Sequence, residues 1–349
     1  MKDKKLRKIS IAKKVILGLI LIYIVLLFLP RPQNVEGSNP FRISSDQDVL
    51  LIAHGGGNHE FPDNTLEAFY NAFHIDPNVM METDVSLTKD GVIILSHDTT
   101  LDRKTTLTNA LIIETNYSDL VEQEIDFGYH NEVVPRSNGF NVSGVFNYYV
   151  NYLGDSVTPL DVIYPDDVQA RHETKFLVST LEDLIKAFPN NPINVEIKQY
   201  GDIGLRALDK VIELMDALDE EYETFGRIVL ASFHQEVFQS MLSYKNTTHP
   251  FLMISPEQNS VIKFYVLQLL GLSFFYRDPV NVLQLPTGQY GLSLSTKSLI
   301  KMAHQHNIAV HYWTIDDEDE MRRLILNGAD GIMTNRPSVL KQVIEEMRP

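Results

Sequence analysis

Cysteine is absent from all 349 residues, which excludes disulfides, thiolate catalysis and cysteine-ligated metal sites. Positive charge is scarce as well: 30 Lys and Arg against 46 Asp and Glu leave a net charge of −16. Seven of those cations and one acid fall in the first 14 residues, so that segment carries +6 and the remainder −22. So acidic a body is repelled by nucleic-acid backbones and adheres poorly to broad anionic surfaces, so nucleic acid is not an expected partner. Any phosphate it handles must be gripped by a few local cations, and a bound metal is the economical source. Internal repeats and low-complexity tracts are also missing. What the chain does have is a 44% hydrophobic fraction, enough for a large core.

An uncharged apolar run, residues 15–29, follows the basic flank. It falls a little short of the roughly 20 residues of a spanning helix. Ile11 and Ala12 can extend it, and Lys13 and Lys14 can snorkel towards headgroups. The flank predicts a cytoplasmic N-terminus and an extracytoplasmic body. The expected organisation is a basic segment at 1–14, a transmembrane signal anchor at 15–30, a polar linker at 31–47 and one large domain at 48–349. A signal peptide cleaved near Val35-Glu36-Gly37 is the rival reading; the proline-containing Leu-Pro-Arg-Pro after the run speaks for an uncleaved anchor.

Beyond the linker, strand-like runs at 49–53, 79–85, 92–95, 193–197, 228–231, 251–254, 280–285, 308–312 and 331–333 alternate with helical patterns. Such alternation predicts parallel β/α units closed into a TIM-type (β/α)8 barrel. The ninth run is explained by Asp90-Gly91, a connection too short for a parallel crossover. Residues 92–95 must fold back on 79–85, which sets His97 roughly opposite Glu82 to Asp84. Residues 127–175 break the rhythm, with eight Phe and Tyr among Asn, Gly and Ser, and read as an insertion at the active-site face, either a lid or substrate-binding element or a passive surface excursion.

Chemistry gathers at strand ends. His54 closes the first run ahead of Gly55-Gly56-Gly57, where backbone can approach a ligand closely, and His97 follows the hairpin. Two histidines flanking a phosphodiester can serve as general base and general acid. Glu82 and Asp84 share one strand face, and Glu196 ends the next strand with Lys198 two residues on. Three clustered carboxylates need a cation between them, and oxygen-only ligands favour Ca²⁺ or Mg²⁺ over Zn²⁺. Lys198 supplies a further positive contact.

The motifs AHGGG, PDNTLEAF, METDVSLTKDG, LSHDTTLDRKT, STLEDLIKAFP, NVEIK and HYWTIDDEDEMRRLILNGADGIMTNRP occur in this order. Together they make the chain resemble the glycerophosphodiester phosphodiesterase family over about residues 51–337. The resemblance implies a TIM-type barrel that hydrolyses glycerophosphodiesters to glycerol 3-phosphate and an alcohol. It implies His54 and His97 as the catalytic pair, and Glu82, Asp84 and Glu196 as ligands of a divalent cation. It further implies Lys198 as a phosphate contact and Trp313 as an aromatic at the substrate pocket. Two departures stand out: Gly55 replaces the family's usual arginine, and Asp63 its usual glutamate. Either Lys198 and the metal suffice to hold the phosphate, or another cation such as Arg103 substitutes, or the substrate differs.

The expected function is therefore metal-dependent hydrolysis of a glycerophosphodiester or glycerol-phosphate polymer at the outer face of the membrane. A phospholipase-type enzyme acting on lipids or lysolipids is an alternative, motivated by the apolar run at 262–276, although the expected place of that run is a buried barrel helix. A binding protein with impaired catalysis on the same barrel is another, motivated by the missing arginine.

Overall fold

Strands that read as nearly continuous apolar runs must bury both faces, and a closed barrel wrapped in helices is how this chain does so. The computed structural model describes residues 2–35, 37–44, 47–128 and 149–348. Its main sheet contains β1 (Leu50–His54), β2 (Met80–Leu87), β3 (Ile93–Leu95), β4 (Ile193–Ile197), β5 (Ile228–Ala231), β6 (Met253–Ile254), β7 (Val282–Leu285), β8 (Ala309–Tyr312) and β9 (Gly331–Thr334). Eight of these are parallel, in the order β6-β5-β4-β2-β1-β9-β8-β7. The two ends of that path meet through Asn281, which donates its N–H to the Ile254 carbonyl (2.9 Å) and accepts the Ile254 N–H on Oδ1 (3.2 Å).

The exception, β3, is antiparallel to β2, with Val85 opposite Leu95 and Leu87 opposite Ile93, as the Asp90-Gly91 turn requires. The Ser96 N–H reaches the Asp84 carbonyl (2.9 Å), so His97 emerges beside the acidic end of β2.

After an N-terminal helix, α1 (Lys2–Leu27), the outer layer comprises α2 (Leu66–Ile75), α3 (Leu181–Ala187), α4 (Gly201–Tyr222), α5 (Gln235–Thr247), α6 (Gln258–Leu269), α7 (Lys297–Gln305), α8 (Glu318–Asn327) and α9 (Pro337–Met347). Hydroxyl or carboxylate caps start several of them: Thr65, Thr180, Thr296 and Asp317 each accept an N–H from the first turn. Leu51, Phe69, Leu184, Val195, Leu208, Leu299 and Leu340 fill the layer between sheet and helices.

A second, smaller core lies inside the barrel, where Ile52, Met80, Val229, Met253, Val282, Ala309 and Met333 pack on Phe41. Phe41 comes from the segment before β1 and plugs the floor, with its ring edge-on to His311 at 6.2 Å. Burial drives the His311 pKa down to about 4, so it stays neutral, and its Nε2 lies 3.4 Å from the Phe41 carbonyl. Inward positions two residues further along the same strands are polar: His54 after Ile52, Glu82 after Met80, Gln284 after Val282. The barrel thus has an apolar floor and a charged mouth.

Two expectations need correcting. Among the described residues no helix is long and apolar enough to cross a membrane, so a spanning anchor is unsupported. Helix α1 stops at Leu27, and its uncharged part, residues 15–27, covers about 20 Å against a hydrocarbon core of roughly 30 Å. The run at 262–276 is not a buried barrel helix throughout: α6 packs Val261, Phe264, Tyr265 and Leu267 on the core and leaves Ile262, Val266 and Leu269 exposed. Phe140, Phe146, Tyr148 and the rest of 129–148 lie outside the described residues, and with them the candidate lid. The described remainder of the insertion is tied to the barrel, since Arg171 grips the buried Glu67 carboxylate through Nε (3.1 Å) and Nη2 (2.9 Å).

Phe41→Ala should cost about 3–5 kcal/mol of stability by opening a void beneath the barrel core. Chemical denaturation of the variant against the parent measures it; an unchanged midpoint would contradict the plug.

Candidate active site

Neighbouring strands bring the charged residues into register. His54 lies opposite Glu82, and Asp84 opposite Glu196. A cavity of about 270 Å³ at the barrel mouth is lined by His54, Glu82, His97, Asn194, Glu196, Lys198, Phe233, Gln284, Trp313, Thr314 and Met333. Asp84 joins them from behind, within the cluster it forms with Glu82 and Glu196. Every residue singled out from the sequence therefore sits at or beside one site, including Gly55.

Carboxylate oxygens of Glu82, Asp84 and Glu196 lie within 4.8 Å of one another. Lys198 answers part of their charge, with Nζ 3.0 Å from Asp84 and 2.8 Å from Glu196. Burial, aided by Asp84, pushes the Glu82 carboxyl up, and burial does the same to Glu196 against the pull of Lys198. Asp84 differs: burial opposes its charge, but Lys198, His97 and His54 outweigh that and hold its pKa down. The Asp84 Oδ1 is buried against the Lys198 ammonium. An all-oxygen, acidic donor set with one such buried oxygen fits a hard divalent cation.

The other oxygens are held in place. Gly55 donates its N–H to Glu82 Oε2 (2.8 Å). Asn64 donates Nδ2 to Asp84 Oδ2 (3.0 Å) while its Oδ1 accepts the Asp84 N–H (3.0 Å) and the Thr83 hydroxyl (2.7 Å). Asn64 belongs to the Pro-Asp-Asn-Thr motif visible in the sequence, but nothing there linked it to a residue 20 positions away.

Each histidine has a fixed tautomer. Asn335 donates Nδ2 to Asp316 Oδ2 (2.8 Å), so its amide oxygen is the end that faces His54 Nδ1 at 2.7 Å. His54 Nδ1 is then the protonated nitrogen, and Nε2 is left for other work. His97 Nδ1 lies 2.9 Å from the Asp98 carboxylate, which again frees Nε2. Burial opposes a charge on His54, but Glu82, Asp84 and the Asn335 contact outweigh it and raise the pKa. The Asp98 hydrogen bond raises that of His97 against burial. Asp98 itself is opposed by burial yet held at about 2 by the His97 hydrogen bond and Arg103. The pairing of Asn335 with His54 spans 281 residues, and only its place in the Thr-Asn-Arg-Pro motif could have hinted at it.

Arg103 does not stand in for the family arginine. It forks onto Asp63 through Nη1 (3.1 Å) and Nη2 (3.0 Å), and its Nε donates to Asp98. Lys104, also buried, donates to the Asp63 carbonyl. Arg103 thus backs the carboxylate that orients His97, and Lys198 is the lysine left lining the cavity. Trp313 stands at the rim with Phe233 edge-on at 5.8 Å.

An eight-stranded parallel β/α barrel with a histidine pair and an acidic cluster at its carboxyl-end mouth has titratable groups where barrel enzymes carry their active sites. The family model described as the Glycerophosphoryl diester phosphodiesterase family matches residues 54–339, and the chain belongs to that family. It is accordingly an enzyme of the phosphoric diester hydrolase class. Lysophospholipase D GDPD1 of Homo sapiens is 27% identical over 319 residues, spanning 84% of this chain and 85% of that protein. A glycerophosphodiester phosphodiesterase of Bacillus altitudinis is 22% identical, spanning 85% of this chain and 99% of its own length. Among solved structures, an Oleispira antarctica phosphodiesterase in complex with sn-glycerol-3-phosphate shares the fold, with a TM-score of 0.58, 18% identity and coverage of 85% of this chain and 97% of its own.

Gly55 has φ +55°, and a Cβ there would meet the Asp63 Cβ at 2.9 Å. Restoring the family residue by Gly55→Arg should therefore cost about 1–3 kcal/mol rather than rescue a phosphate contact. Thermal denaturation with parallel turnover assays checks this; a variant as stable as the parent and faster would refute it.

Proposed function

We propose that the protein hydrolyses glycerophosphodiesters to glycerol 3-phosphate and an alcohol, with His54 and His97 as its acid–base pair. The observation that carries the reading is the pair of fixed tautomers: both imidazoles turn Nε2 away from an orienting partner at one cavity. His97, paired with a carboxylate, is the better proton holder and acts as general acid on the leaving alcohol oxygen. His54, oriented by a neutral amide, acts as general base and takes the proton from the attacking oxygen. Lys198 binds the phosphoryl oxygens, and Trp313 and Phe233 flank the organic part of the substrate. Glu82, Asp84 and Glu196 would hold a Ca²⁺ or Mg²⁺ ion, which supplies Lewis-acid polarisation of the phosphate.

A second reading, hydrolysis of lysophospholipids, is favoured by one feature: Phe233 is exposed at the rim, where an acyl chain could rest. The human relative's name points the same way. Comparing kcat/KM for glycerophosphocholine and lysophosphatidylcholine separates the two.

Membrane attachment belongs to the same proposal. It rests on the basic residues at 2–14 and on the exposed apolar side chains from Val15 to Val25 of α1, which can lie in a membrane surface without crossing it.

Purified protein should release glycerol 3-phosphate in the presence of Mg²⁺ or Ca²⁺ and stop with chelator. His54→Ala and His97→Ala should each lower kcat by roughly 10²–10⁴-fold; a rate equal to the parent's would remove that histidine from the mechanism. Because Glu82 and Glu196 hold protons more tightly than free carboxyls, protons compete with the ion, and metal affinity should fall as pH is lowered. Calorimetric titration of the metal across pH tests this, and an affinity indifferent to pH would count against the carboxylate site.

A further inference from the structure

Helix α6 is apolar on both sides: Phe264, Val261, Tyr265 and Leu267 pack on the core, and a second apolar set faces outward. Ile262, Val266, Leu269 and Leu270 follow the i, i+4, i+7, i+8 spacing of one face, and they are 46 to 62% exposed. Phe275 extends the stripe just past the helix and is 52% exposed. Outward faces elsewhere on the barrel are charged, as with Arg206, Lys210 and Glu213 on α4. The stripe is continuous with α1: Tyr23 donates its hydroxyl to the Leu270 carbonyl (2.7 Å), and Arg31 Nη2 donates to the Gly271 carbonyl (3.2 Å). A Cβ on Gly271 would come within 2.5 Å of Leu27, so the two segments pack directly.

Charge sorts to the same place. Between Gln258 and Gln305 the sequence holds four cations, Lys263, Arg277, Lys297 and Lys301, against one acid, Asp278, in a chain whose net charge is −16. Lys297 and Lys301 are exposed on α7, which lies against α6 through Gln268 Nε2 and Ser298 Oγ (3.2 Å). An apolar strip edged by cations in an otherwise acidic protein matches an anionic lipid surface: acyl chains under the strip, headgroups against the lysines.

We infer that the outward face of α6 and Phe275, with the flanking lysines of α7, is a docking surface for an anionic bilayer. The proposal rests on the reading of α1 as the segment that enters the membrane, and extends it to the barrel wall. Since α6 runs from the barrel mouth to its floor, a bilayer against it lies beside the wall. The mouth then opens along the membrane surface, within reach of substrates released there.

Because the chain has no cysteine, single substitutions carry an environment-sensitive fluorophore cleanly. Full-length protein labelled on Ile262→Cys or Leu269→Cys, mixed with phosphatidylcholine vesicles containing phosphatidylglycerol, should show a several-fold, blue-shifted rise in emission. A label on His74→Cys, on α2 across the barrel, should not respond. Lys297→Glu with Lys301→Glu should weaken binding to the anionic vesicles several-fold and leave pure phosphatidylcholine binding unchanged. A Leu269→Cys label that stays in water while one on Ile20→Cys enters lipid overturns the docking surface and leaves the attachment of α1 standing. Labels that stay in water at both positions overturn both. A Leu269→Cys label already shielded without vesicles, in a protein that sediments as a dimer, overturns the lipid in favour of a second copy of the chain.

Discussion

Three carboxylates brought within 4.8 Å of one another cannot all ionise without a cation, and the mouth of this barrel is organised around that constraint. Lys198 meets it in part by lying between Asp84 and Glu196. Gly55 and Asn64 meet it differently, fixing single oxygens of Glu82 and Asp84 with N–H donors so that the remaining ones converge. A lysine and two neutral donors do not balance three ionised carboxylates, which is why the cluster suits a divalent ion. The Gly55 backbone that donates its N–H to Glu82 is left-handed, and a Cβ there would meet Asp63 Cβ at 2.9 Å.

Around that cluster the fold separates two solvents. Phe41 and the methionines, valines and isoleucine above it keep the lower barrel dry, while the next inward layer is polar. Strand periodicity makes this possible, since inward positions recur every two residues and can change character from one layer to the next. A rigid apolar base holds the strand ends in register, and the register sets His54 beside Glu82 and Asp84 beside Glu196. Positioning then passes outward through pairs: Asp316 to Asn335 to His54, and Arg103 to Asp98 to His97.

Much of this was legible in the sequence. The strand and helix order, the (β/α)8 closure and the Asp90-Gly91 hairpin all rest on local periodicity and turn chemistry, which act over a few residues. His54, Glu82, Asp84, His97, Glu196 and Lys198 stood out because such groups at strand ends have few structural uses. Asn335 and Asp316 did not, because an asparagine or aspartate in a loop is ordinary until its partner is known. Arg103 was misplaced for a similar reason: as a free cation it suits a phosphate, and only the fold reveals Asp63 and Asp98 on either side of it. The run at 262–276 was ambiguous, because apolar content alone does not say which helix face turns inward.

The sequence by itself determined the element order, the barrel class, the family and the set of groups able to do the chemistry. These follow from short-range pattern and residue type. The tertiary structure alone decided which nitrogen of His54 holds its proton, that Arg103 supports Asp98 instead of a phosphate, that α1 ends at Leu27, and that α6 shows apolar side chains to the outside. Each of these depends on which groups meet, or fail to meet, once the barrel closes, and residues 281 positions apart become neighbours only then.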